Sequence, residues 1–176
     1  FCLSRGLGDV YKRQGQNNIC TKGRTEMAVR AFFTRYHDLA FRETRVLTVL
    51  PGKEVPADEY GFLEFYCDDR SCDCRRVMIK VLGRHSGDQA WATISYGWET
   101  PAFYRNWGGA GFADVESLCR PMLDPLNPQS VHADYFLAVF EELIKDQSYV
   151  RRLQRHYEMF RKPVKRWGNP LGRAKR

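Results

Sequence analysis

Three cysteines, Cys67, Cys72 and Cys74, fall within eight residues, in the run Cys67-Asp68-Asp69-Arg70-Ser71-Cys72-Asp73-Cys74. Thiolates are soft ligands well suited to zinc, which takes four donors in a tetrahedron. Cys72 and Cys74 are two apart, so an extended backbone points them the same way, and Cys67 lies across a short turn from both. Three sulfurs can therefore converge without help from distant chain. A fourth donor would have to come from Cys119, His85, a carboxylate of Asp68, Asp69 or Asp73, or water. Without an added cation, those three carboxylates are expected to repel one another. The same cysteines fit two other chemistries. They can be ordinary free thiols at a loop, or reactive thiols, since Arg75 and Arg76 favour a thiolate while the neighbouring aspartates oppose it. An iron–sulfur cluster would need a fourth thiolate.

Little else in the chain carries a reaction. His37, His85, His132 and His156 lie in no recognisable motif with a cysteine, and a Cys–His nucleophile pair would rest on a proximity that sequence does not give. The acidic loop lacks the calcium-loop pattern, and the chain has neither a P-loop nor a GxGxxG run. The reading is a small non-enzymatic module with structural zinc held by Cys67, Cys72 and Cys74. A thiol-dependent enzyme, redox or Cys hydrolase, using the same cysteines is its rival.

What must position the thiols is a hairpin. Residues 60–67 and 74–82 are apolar-rich runs on either side of the acidic loop and read as its two strands. Residues 44–50, β-branched and closed by Pro51-Gly52, and residues 91–98 add two more, and the short links make a four-stranded antiparallel meander. On a period of two, Leu63, Phe65 and Cys67 share a face, as do Val77, Ile79 and Val81. Residues 27–41 read as a short amphipathic helix through Val29, Phe32, Phe33, Tyr36, Leu39 and Ala40. Thr100-Pro101 starts a short helix that stops at Gly108-Gly109, and another short helical piece falls near 114–119. Ser130 then reads as the cap of a longer helix with the stripe Tyr135, Phe136, Val139, Phe140, Leu143 and Ile144. Asp146 restarts the chain into a last helix with Val150, Leu153, Tyr157 and Phe160 on one face. The fold class is α+β: a four-stranded antiparallel sheet packed by a C-terminal helical hairpin.

At 176 residues the chain suffices for one domain with a real core and is short for two. An apolar content of 43% excludes wholesale disorder. No apolar run approaches the roughly 18 residues of a membrane helix, and residues 1–14 lack the apolar stretch of a signal peptide. A soluble, cytoplasmic protein is expected, and in that reducing setting clustered cysteines favour metal or free thiols over disulfides. The net charge of +7 is unevenly spread: 151–176 hold ten Lys/Arg against one acid and 1–26 hold five against two, which leaves −5 for 27–150. The basic segment 151–176 is a candidate contact for RNA or another polyanion, or simply a solvated helix face and flexible end.

Residues 9–14, DVYKRQ, back-translate in frame to the mosaic-end sequence of transposase-made sequencing libraries, and Lys22-Gly23-Arg24 can encode a ribosome-binding site ahead of Met27. Residues 1–26 are expected to be adapter and upstream translation, with Met27 the native start; a disordered native N-terminus is the alternative. The expected organisation is then 1–26 set aside, 27–161 a single domain, and 162–176 a basic flexible tail.

With Glu59-Tyr60-Gly61-Phe62-Leu63-Glu64-Phe65-Tyr66-Cys67-Asp68, Cys72-Asp73-Cys74-Arg75-Arg76-Val77, Ala92-Thr93-Ile94-Ser95-Tyr96-Gly97-Trp98 and Asp124-Pro125-Leu126-Asn127-Pro128-Gln129-Ser130 in view, the chain resembles uncharacterised bacterial proteins, some of which carry a cysteine-rich SEC-C tail. The resemblance covers about residues 42–161 and implies no activity. The SEC-C tail binds zinc, but its CxC…CC pattern is absent from 162–176, and its chemistry does not carry over. The expectation is a cytoplasmic bacterial module that binds a protein partner.

Overall fold

The structure is a computed structural model that describes residues 29–87, 89–108 and 114–162. The segment 1–26 with Cys2 and Cys20, the start at Met27 and the basic tail beyond Lys162 lie outside the described residues. The described elements run β1 (Val29–Ala31), a 3-10 turn (Phe32–Thr34), α1 (His37–Glu43), β2 (Arg45–Val49), β3 (Asp58–Cys67), β4 (Arg76–Gly83), β5 (Ala92–Gly97) and α2 (Pro101–Gly108). A second 3-10 turn (Glu116–Cys119), β6 (Met122–Leu123), α3 (Ala133–Lys145) and α4 (Gln147–Arg161) complete the order. Among them no helix is long and apolar enough to cross a membrane.

The fold is α+β, and β2 to β5 form an antiparallel meander. The sheet nevertheless has six strands rather than four, because β1 also pairs with β3 and β6 adds two residues to β5. Residues 27–41 are therefore not one helix. Val29–Ala31 pair with 65–67 of β3, whose edge groups would otherwise lack partners, and the helix begins only at His37. Both β1 and β2 lie along the same side of β3, with a gap at Leu63 and Glu64. A cavity of about 10 Å³, the size of one water, opens there between Phe32, Phe33, Ala40, Thr44, Leu63 and Glu64.

β3 is buried on both faces from Tyr60 to Cys67. Register sets Phe62 opposite Val81 and Glu64 opposite Ile79, so Tyr60, Phe62, Glu64 and Tyr66 share a face with Val77, Ile79, Val81, Ile94 and Tyr96. That face takes the helices. Tyr60 meets Phe136 at 4.7 Å between ring centroids, Phe62 and Tyr96 meet Phe140 at 6.5 and 5.9 Å, and Tyr66 meets Phe160 at 5.8 Å. Leu63, Phe65 and Cys67 do share a face, but it is the opposite one, with Met78 and Lys80. Helices α3 and α4 are joined through Asp146 alone, whose carboxylate accepts the Ser148 N–H at 2.8 Å as an N-cap. α3 lies over β5 and β6 and α4 reaches β4, so each helix meets the sheet as well as its neighbour.

Ser130 does not cap α3. Its hydroxyl donates to the Trp91 carbonyl at 2.6 Å and accepts the His132 N–H, and the helix starts behind His132. The loop it closes is pinned to β5. The buried Asp124 carboxylate accepts Ser95 Oγ, the Leu126 N–H and Asn127 Nδ2, each at 2.9 Å. The Gln129 carboxamide accepts the Thr93 N–H at 2.9 Å and donates to the Thr93 carbonyl at 3.0 Å, standing where a paired strand residue would.

Glu64 is a charge on the helix-facing side and only 6% exposed. Its Oε2 accepts Tyr66 Oη at 2.7 Å and lies 2.6 Å from His156 Nδ1, while His156 Nε2 lies 3.0 Å from Glu43 Oε2. The imidazole thus bridges the two carboxylates through its two ring nitrogens. Phe32 stacks on the His156 ring at 4.2 Å. Removing the imidazole strands a buried carboxylate, so His156→Leu should cost about 3–5 kcal/mol in urea unfolding. Glu64→Leu with His156→Leu should regain most of that loss, because apolar volume replaces the pair. A double variant as unstable as the single one would show that the two do not act as a unit.

Candidate metal centre

The thiol tip lies between β3 and β4. Cys67 ends β3, and the Asp69 carboxylate then accepts both the backbone N–H and the hydroxyl of Ser71, at 2.8 and 2.7 Å. This side-chain turn, with the Cys72 N–H on the Asp69 carbonyl at 3.2 Å, folds Cys72 back. Arg75 is left-handed, with φ of 46°, a conformation uncommon outside glycine. Two tyrosines hold it there: its N–H donates to Tyr157 Oη at 3.2 Å, and its carbonyl accepts Tyr104 Oη at 2.9 Å. The bend separates the direction of Cys74 from that of β4 and brings the three sulfurs within 4.8 Å of one another. Such a cluster can hold a metal ion. Cys67 and Cys74 are buried and Cys72 is half-buried.

The surrounding charges are arranged in pairs. Asp68 lies 3.0 Å from Arg30 and also takes Arg35. Asp73 accepts from Arg75 at 3.1 Å and from Arg161 at 3.2 Å, and the Arg75 contacts lead in holding its carboxyl below the ordinary range. Arg161 also donates to the carbonyls of Cys72 and Arg70, and Arg35 to that of Phe160. The expected repulsion among the loop aspartates is thus met without a metal: guanidinium groups pair with Asp68 and Asp73, and Ser71 holds Asp69. Arg30, Arg35 and Arg161 carry no local signature, since they sit 33 to 88 residues from the carboxylates they hold.

The thiols share protons unequally. Cys74 donates a hydrogen bond to Cys67, the Asp69 N–H and Cys72 add to it, and together they lower the Cys67 thiol to about 6 against the opposing effect of burial. That same hydrogen bond, followed by burial, pushes Cys74 up; burial first, and then the Cys67 charge, raises Cys72. Cys67 is therefore the thiol that ionises first, and filling the tip with three thiolates releases protons from the others.

None of the other proposed donors joins the three sulfurs. His85 bonds Asp58 at 2.8 Å, at the far end of the hairpin, and the Cys119 thiol donates to the Val115 carbonyl. The remaining histidines are also placed elsewhere: His37 beside Asp38, His132 against Trp91, and His156 on its carboxylates. No Cys–His pair forms among the described residues. Of the basic stretch, Arg155 is tied to Glu43 and Arg161 to the tip. Set against protein-family models, curated proteins and solved structures, the chain matches none of them.

A pH dependence follows. Cys67 falls from the usual 9.0 to about 6 on folding, so its contribution to stability is complete above pH 9, shrinks as pH falls, and is gone below 6. Cys72 and Cys74 are raised, and their contribution is lost as pH climbs past 9. Metal-free protein should therefore gain stability from pH 6 towards 9 and lose it beyond. Denaturant melts across pH read this directly. The rise should flatten in Cys67→Ser; a rise that survives that substitution belongs to another group.

Proposed function

We propose that Cys67, Cys72 and Cys74 bind one structural zinc ion, and that the protein is a non-enzymatic module of the bacterial cytoplasm that binds a protein partner. The observation that supports this is the convergence of three sulfurs within 4.8 Å at a tip where Asp68 and Asp73 are paired with arginines and Asp69 is bonded by Ser71. Zinc suits soft thiolates and takes no part in redox chemistry, which fits a site with no histidine base beside it. The ion would fasten the ends of β3 and β4 to each other. Leu126 and Val131, 87% and 93% exposed on the loop pinned by Asp124 and Gln129, offer a partner an apolar contact. The resemblance to bacterial proteins of the SEC-C group is compatible with such a role and assigns no reaction.

Elemental analysis of untagged full-length protein, purified without added metal, should find one zinc per chain. Its thiols at 67, 72 and 74 should resist alkylation until a chelator is added, and Cys72→Ser should lower the zinc content. At free zinc about 1,000 times its dissociation constant, the ion should add about 4 kcal/mol to unfolding stability. Protein without metal, whose three thiols titrate freely, would leave ordinary free thiols as the reading. A single thiol that alkylates at once would favour the thiol-dependent enzyme.

A further inference from the structure

Zinc needs four donors, and the described chain brings three. Each nearby carboxylate is engaged: Asp68 by Arg30 and Arg35, Asp69 by Ser71, and Asp73 by Arg75, Arg161 and Tyr157. His85 and Cys119 are held elsewhere. Cys72 is half-buried, so the cluster is not sealed from solvent.

A cation on the thiol side, Arg76, has no acceptor among the described residues. Arg76 stands opposite Gly97 on the same face of the sheet as Cys67. A Cβ at Gly97 would fall 2.2 Å from Tyr104 Oη, so the tyrosine covers that position and borders Arg76. The Arg76 guanidinium lies within electrostatic reach of Tyr104, Cys74, Asp124 and Cys119. No hydrogen bond or ion pair joins it to a described residue. Asp124 could serve, but its oxygens are taken by Ser95, Leu126 and Asn127. Its charge is also shared with Lys80, further along β4.

Arg76 carries a positive charge that no carboxylate among the described residues bonds, and an anion at its guanidinium would neutralise it. A guanidinium also offers the fork that a carboxylate fits.

Building on the zinc reading above, we infer that the ion's fourth position is open and takes an external carboxylate, one oxygen on the metal and the other on Arg76. The site is then a receptor for a carboxylate group, from a small acid or from an acidic side chain of the partner, and Arg76 sets its preference. A closed four-thiolate site would have no such opening.

Cobalt(II) replaces zinc in such sites, and its visible spectrum reports the donor set. Full-length protein loaded with cobalt should show thiolate-to-metal absorption, and acetate should shift its ligand-field bands saturably. A short peptide bearing one glutamate in acetate's place, with both termini blocked, separates the two sources: tighter binding than acetate assigns the position to a partner's side chain, and equal or weaker binding to a small acid. Arg76→Met should weaken acetate binding by about tenfold while cobalt affinity stays within a few-fold, and Arg76→Lys, which keeps the charge but not the fork, should fall between. Cobalt-loaded protein whose bands ignore both acetate and the peptide overturns the open position and leaves the zinc reading intact. Bands that ignore acetate until Cys20→Ser or Cys119→Ser is introduced overturn it too, by giving the fourth place to a protein thiol. Failure to bind either zinc or cobalt ends both readings.

Discussion

A buried carboxylate governs the register of the central strand. Glu64 sits among aromatic side chains beneath the helices, where an unpaired charge would be prohibitive, and it is held by Tyr66 and His156. Strand side chains alternate, so fixing Glu64 on the helix side fixes Cys67 on the other. A slip of one residue would carry the thiol under α4 and the carboxylate away from its imidazole. The same helix that supplies His156 supplies Tyr157 and Arg161 within its next turn and a half, and both of these hold the tip. Anchoring the charge and shaping the thiol cluster are thus tasks of one helix.

The tip shows how an acidic loop can surround thiols without electrostatic conflict. Asp68 and Asp73 flank the cluster, and each is turned towards guanidinium groups on elements that pack around the hairpin. The sulfurs are left facing one another. Because these arginines also bond the backbone carbonyls of Arg70, Cys72 and Phe160, they brace the loop's conformation as well as its charge. The left-handed Arg75 is kept in place by the same logic, its peptide gripped on both sides by tyrosine hydroxyls.

Much of this was legible in the residues, for reasons that can be named. Alternating and β-branched runs bounded by Pro51-Gly52 and by the acidic loop located β2 to β5, and Thr100 and Asp146 announced two helix starts that hydrogen bonds bear out. The cysteine spacing placed three sulfurs at one tip. The inward face of β3 was harder to read. Eight consecutive buried residues leave no contrast to follow, and Glu64 makes the helix-facing set look like the polar one until His156, 92 residues away, is seen beneath it. β1 and β6 have three and two residues, too few for any period, and exist because longer strands offer them an edge. Arg30, Arg35 and Arg161 were invisible as site residues because tertiary packing alone brings them to the loop.

The side chain of Gln129 has a consequence for how the sheet meets other molecules. Its amide fills both hydrogen-bonding positions of Thr93 just past β6, so among the described residues this margin offers a free strand edge only along the two residues of β6. So short an edge is a poor template for aggregation or for the addition of a foreign strand. The opposite margin differs. β2 is paired on one side only among the described residues, and it carries the β-branched run Arg45–Val49 with Val46 at its surface. Any growth of this sheet by another chain would therefore be one-sided, proceeding outward from β2 and away from Gln129.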